Sequence, residues 1–184
     1  MQPQAVILET APTQTLVAKE QNSEPSVPEV TESPAISAFR QWADAAAASG
    51  FSQAHQIKGM ELAKARAAAM KALIQKDPVE ALRQALPAEV RNSLPPQIAA
   101  AIEQPVQKSG MCAMRLACNH SHDGPHSECH SIPILTGGAD SWNAYYGDPQ
   151  WETLVGQPVE FEGVAVESEL AVGKIDAAPL PTDP

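Results

Sequence analysis

Apolar residues recur at helical spacing from Ser33 onward. Ser33-Pro34 places a capping serine before a first-turn proline, and Ile36, Phe39, Ala43 and Ala46 follow at 3–4 spacing beside Trp42. Ser49-Gly50 ends that helix. Ser52 can cap a second, longer helix reaching about Lys76, where Met60, Ala63, Ala67, Met70 and Ile74 form one narrow stripe. Its alanines predict close helix–helix approach, and its methionines read as core filling. Short proline-started helices come next. Asp77-Pro78-Val79-Glu80 combines an N-cap, a first-turn proline and a capping-box glutamate, and Pro87 and Pro95-Pro96 restart the pattern. Val79, Leu82, Leu86, Val90, Leu94, Ile98 and Ile102 are expected to bury toward the long helix.

From Gly110 the period changes to two. Met111–Cys118, Glu128–Leu135, Ser141–Gly147, Gln157–Val166 and Glu169–Ile175 are the expected strands. Gly110, Gly137-Gly138, Asp148-Pro149 and Gly156 punctuate them, and Gly163 within a strand predicts a bulge or bend. The fold class expected is α+β. A helical subdomain over 34–105 precedes a small antiparallel β-sheet or partly closed β-barrel over 110–176, of the size of an SH3-like or OB-like barrel. Residues 1–33, poor in large apolar side chains, read as a disordered tail, and 177–184 as a proline-rich linker or tail.

Charge and composition narrow the function classes. Twelve basic against 22 acidic residues give a net charge of −10, which argues against a nucleic-acid partner. No apolar run reaches the roughly 20 residues a membrane span needs. Met1–Ala11 has no basic start and only four consecutive apolar residues, so it does not read as a signal peptide. That leaves a cytoplasmic protein, or one whose signal lies outside this chain. Three cysteines are too few for a disulfide scaffold.

One stretch carries candidate chemistry. Cys118 to His130 holds Cys118, His120, His122, His126, Cys129 and His130, donors that zinc and copper prefer. Three readings stay open: a metal held by some of these six; a hairpin closed by a Cys118–Cys129 disulfide; or a reduced, solvated loop. The spacing matches no standard zinc finger. His126-Ser127-Glu128 lacks the partner motif of zinc deaminases. His126 and His130 lack the helix and glutamate offset of zinc proteases, and Ser121, His122 and Asp123 are mere sequence neighbours. Asn119-His120-Ser121 is a formal glycosylation sequon. Asp140, Trp142, Tyr145, Tyr146 and Trp151 could line a binding face, although aromatics in a small β domain usually form its core.

Several phrases together carry a resemblance. They are G-x-E-L-A-x-A-R (Gly59–Arg66), A-L-I-x-x-D-P-x-x-A-L (Ala72–Leu82), A-L-P-x-x-V-R (Ala85–Arg91), Leu94-Pro95 and Ile102-Glu103. W-x-A-Y-Y-G (Trp142–Gly147) and G-V-A-V-E-x-E-L-A-V (Gly163–Val172) complete them. The chain resembles the N-terminal module of large, secreted, multidomain bacterial proteins, some with metallopeptidase or repeat domains downstream. The match spans about Gly59–Val172; the His/Cys loop is not part of the pattern. The resemblance implies export and a non-catalytic, prodomain-like accessory role toward a downstream domain, and it brings no catalytic residue. The expectation is therefore a non-enzyme without a required cofactor. The alternative is a small zinc- or copper-binding protein built on the 118–130 loop.

Overall fold

In the computed structural model, residues 33–118, 129–147 and 149–178 are described. Of the tails expected over 1–33 and 177–184, residues 1–32 and 179–184 lie outside them. Five helices, α1 (Pro34–Ser49), α2 (Gln53–Lys76), α3 (Pro78–Gln84), α4 (Ala88–Ser93) and α5 (Pro96–Ala99), precede five strands. The strands are β1 (Gln104–Cys118), β2 (Cys129–Gly137), β3 (Asp140–Tyr146), β4 (Pro158–Val166) and β5 (Glu169–Ala177), with a 3-10 segment at Pro149–Leu154. They close into a barrel in the order β1-β2-β3-β5-β4. The architecture is thus α+β with a small closed barrel. Among the described residues no helix is long and apolar enough to cross a membrane.

Of the two forms expected, antiparallel sheet or partly closed barrel, the chain takes the barrel, and closing it requires one parallel contact: β3 and β5 pair in parallel over Asn143–Tyr146 and Glu169–Val172. After β3 the chain crosses the barrel end through the 3-10 segment, so β5 inserts beside β3 in the same direction. β1 also starts seven residues earlier than expected, at Gln104 and not Met111. It is long and shared, pairing with β4 from Gln104 to Met111 and with β2 from Met111 to Cys118. Gly110 is not a boundary but the crossing point. A Cβ there would sit 1.5 Å from the Thr136 carbonyl oxygen, so only glycine lets β1 pass so close to β2. The irregularity expected at Gly163 is present: the β4–β5 register shifts between Glu162 and Gly163, leaving Gly173 as the extra residue on β5.

Local signals hold in part. Ser52 caps α2, accepting from the His55 amide at 3.3 Å, and Asp77 caps α3, accepting from the Glu80 amide at 3.0 Å. Ser33 makes no side-chain cap; its carbonyl accepts from Ile36 and Ser37 instead. Glu80 does not close a capping box. The Asp77 amide bonds the Leu73 carbonyl, which frees the Glu80 carboxylate to accept from Arg83 and Gln84.

Three apolar clusters make the core. One fills the barrel around Cys112, Leu135, Trp142, Val159, Phe161 and Leu170. A second holds the helices together around Phe39, Ala63, Leu86, Leu94 and Ile98. The third joins the halves: Ile36, Met70, Ile74 and Ala81 from the helices meet Val166 and Ala171 from the barrel wall.

Inside the helical part lies a charge that the periodicity does not suggest. Arg66 and Glu103 are fully buried and bidentate, with Nη2 to Oε1 at 2.6 Å and Nε to Oε2 at 3.0 Å. Arg66 also donates to the Gln84 carbonyl at 2.6 Å, and the Leu86 amide donates to Glu103 at 3.0 Å. The guanidinium stands 5.6 Å from the Phe39 ring centre. One pair therefore ties α2, the α3–α4 link and the residue leading into β1. Breaking such a pair strands a buried charge. We expect Glu103→Leu or Arg66→Met alone to cost about 3–5 kcal/mol in denaturant unfolding, and the double substitution to cost much less than the sum. Additive losses would contradict this role.

Candidate functional site

The region with the most unusual geometry is the seam between α3 and the barrel. Two glycines create it. A Cβ on Gly147 would lie 2.2 Å from Val79 Cγ2, so the end of β3 runs directly beneath α3. At Gly173, the bulge residue, an added Cβ would meet the Leu82 methyls at 3.5 Å. Val79 therefore turns to the barrel and stays 41% exposed, contrary to the expectation of burial toward the long helix, while Leu82 packs against the cluster that joins the helices to the barrel wall. Beside them opens a cleft of about 550 Å³, walled by Val79, Leu82, Tyr146, Leu154 and the length of β5 from Val172 to Ala177.

At the inner end of the seam, the Tyr146 hydroxyl hydrogen-bonds with the buried thiol of Cys112. Burial, with Cys112 alongside, pushes the Tyr146 phenol far above its ordinary range, and burial also pushes the Cys112 thiol up. Both groups are neutral at physiological pH. Cys112 thus packs as a small apolar residue and is not an activated nucleophile.

Next to the seam a polar clamp joins α2 to the barrel. Glu169 opens β5 and is 5% exposed. Its Oε1 accepts from Asn143 at 3.0 Å and from Ser168 at 3.2 Å, and Asn143 in turn accepts from Arg115 at 3.0 Å. Burial raises the Glu169 pKa, but the hydrogen-bonding groups of Tyr145, Asn143, Gln75 and Ser168 together outweigh it and hold the carboxyl below its usual range. Tyr145 responds oppositely: burial, with help from Glu169, pushes it up to about 12. Lys71 of α2 pairs with Glu167 in the β4–β5 turn nearby.

The aromatic face considered from the sequence does not assemble. Trp142 points into the barrel against Phe161, with ring centres 6.0 Å apart. Tyr145 points outward beneath α2, Tyr146 lies at the barrel end, and Asp140 pairs with Lys108. The Trp151 side chain lies outside the described residues.

For the His/Cys loop the backbone is described at its two ends. Cys118 ends β1, Cys129 begins β2, and the register makes them direct cross-strand partners, with His130 opposite Ala117. Directly opposed antiparallel residues have Cα atoms about 4.5–5.5 Å apart, inside the disulfide range. His120, His122 and His126 lie outside the described residues. Among the described residues no three His, Cys, Asp or Glu side chains converge as a metal site.

Sequence reasoning missed the cleft because it depends on where β3 stops pairing; Asp148-Pro149 was the available signal. It missed the clamp because Glu169 and Gln75 carry no local pattern that links them. Comparison with protein-family models, curated protein sequences and solved structures finds no match.

The clamp has a pH signature. A carboxylate held below its ordinary pKa contributes stability above that ordinary value and loses it as pH falls through the folded-state value. As pH falls below the ordinary glutamate value of 4.5, the protein should lose more stability than its Glu169→Gln variant, so that the two curves converge in acid. Parallel curves from chemical denaturation would contradict the clamp.

Proposed function

We propose that the chain is a non-catalytic, prodomain-like accessory module of an exported protein, and that it works by docking against polypeptide elsewhere in that protein. The cleft between α3 and β5 carries this reading: it is a recess with apolar side chains on both walls, set where the helices join the barrel. The ionisable groups around it support a structural reading as well. Glu169 is taken up in joining α2 to the barrel, and Cys112 and Tyr146 are neutral packing groups. Export follows from the resemblance of Gly59–Val172 to secreted multidomain proteins. Cross-linking of the polypeptide as its host produces it tests the reading. Lys174, which lines the cleft, should link to residues beyond the 184 of this chain. A secreted product whose cross-links all fall within them would count against docking.

A second reading is favoured by the Cys118–Cys129 register: a small zinc- or copper-binding protein using Cys118, His120, His122, His126, Cys129 and His130. A disulfide between the same cysteines competes with it, because the metal needs thiolates. Under oxidising conditions the accessory module should carry one titratable thiol, Cys112 after denaturation, and no metal. Near-stoichiometric zinc or copper that survives dialysis, and is lost in the His120→Ala/His122→Ala variant, would replace the first reading with the second.

A further inference from the structure

β5 has one edge that the barrel does not use. It pairs with β4 along its whole length, from Glu169 to Ala177. Its pairing with β3 stops at Val172, where β3 reaches Tyr146 and the chain turns away into the 3-10 segment. The direction of the backbone groups beyond that point follows from one bond. The Ala178 amide donates to the Pro158 carbonyl at 2.9 Å, so residue 178 faces β4. N–H and C=O groups alternate sides along an antiparallel pair. Asp176 and Lys174 therefore also face β4, and Ile175 and Ala177 direct theirs to the side that β3 has left. Among the described residues, neither the β3–β5 pairing nor the main-chain bonds outside the strands include those four groups. The Gly173 bulge produces this phase, since the groups facing β3 before it belong to Leu170 and Val172.

The edge forms one side of the cleft already described. Val79 and Leu82 wall it on the α3 side, and Tyr146, Leu154 and Ile175 on the barrel side. A strand laid there would be covered on both faces over its middle, which suits continuous apolar side chains. The outer end differs. The register sets Glu160 opposite Asp176 and Glu162 opposite Lys174. Lys174 is paired with Asp176 at 3.2 Å. Asp176, Glu162 and Glu160 all act on this one ammonium, so the outer β4–β5 face beside the cleft carries a surplus of negative charge.

We propose that the β5 edge at Ile175 and Ala177 accepts an extended peptide segment as an added strand. The segment is apolar at its centre and basic at its flank, and it takes the position beside β5 that β3 gives up. This deepens the docking reading and rests on it. Edge addition draws its affinity from main-chain hydrogen bonds and its selectivity from the side-chain walls. Strand Gly173–Ala177 spans about 17 Å, enough for a segment of roughly five residues.

The test uses the full chain and a synthetic peptide, acetyl-Lys-Val-Val-Thr-Val-Lys-Lys-amide, followed by NMR titration and amide exchange. We expect saturable binding with Kd below about 1 mM, and exchange at the Ile175 and Ala177 amides slowed by about tenfold or more. Replacing the three lysines by glutamate should weaken binding at least severalfold. Ala177→Pro removes an amide that points away from β4, so it should keep the fold and abolish binding. Val79→Lys, at an exposed wall position, should also weaken it. Absence of binding, binding without protection at those two amides, or undiminished binding to Ala177→Pro would overturn the proposal. Equal affinity for the glutamate peptide would overturn its basic-flank chemistry. Protection that rises with protein concentration alone would assign the edge to a second copy of the chain instead. Cross-links from Lys174 to another domain, found alongside any of these failures, would leave the docking reading standing while removing the edge as its site.

Discussion

The fold hangs on one fully buried charged contact in the helical core. Arg66 projects from the middle of α2 into a fully buried space, and Glu103 meets it from the residue just before β1. Moving two such ions out of water is costly, and the attraction between them offsets that cost only when the geometry is close and the remaining donors are used. Here both oxygens of Glu103 accept from the guanidinium, and the Gln84 carbonyl and Leu86 amide take part; Arg66 Nη1 is the one guanidinium nitrogen with no hydrogen-bond partner among the described residues. The contact is directional where the surrounding apolar packing is not. It fixes how α2 sits relative to the start of β1, and hence where the barrel begins.

With that origin set, the rest of the helix–barrel seam follows. Ile36, Met70, Ile74 and Ala81 can meet Val166 and Ala171 only if α2 lies along the outer wall of β4 and β5. Glu169 then reaches the level of Gln75 and Tyr145, and Lys71 reaches Glu167. α3 is carried over the end of β3, where Gly147 has no side chain to obstruct Val79. The same placement leaves β5 extending past the end of β3. The cleft is therefore a consequence of how the halves join, and its walls come from both of them.

Much of the secondary structure could be read from the chain because it is written locally. Ser52 and Asp77 cap the helices they precede, prolines at positions 34, 78 and 96 open helices, and five strands appear in the expected order. What could not be read is set by distant partners. Arg66 looks like a solvated residue on an alanine-rich helix, because its partner is 37 residues away. The early start of β1 is hidden by Pro105 and the polar residues after it, which alternate weakly until β4 supplies the pairing. The parallel β3–β5 contact and the open edge depend on barrel closure. At the candidate sites the balance is similar. The hairpin that pairs Cys118 with Cys129 was legible from turn and strand signals, whereas nothing local announces that Ile175 and Ala177 end up beside α3.

The central claim is that the helices and the barrel form one cooperative unit. Native-state hydrogen exchange on the full chain addresses it most directly. The account predicts that amides of α2 around Arg66 to Ile74 share one opening free energy with amides of β1, β4 and the Glu169–Val172 part of β5, equal to the global value. If the α2 amides instead open with a distinctly smaller free energy while the barrel strands stay protected, the Arg66–Glu103 contact does not couple the two halves, and the account fails.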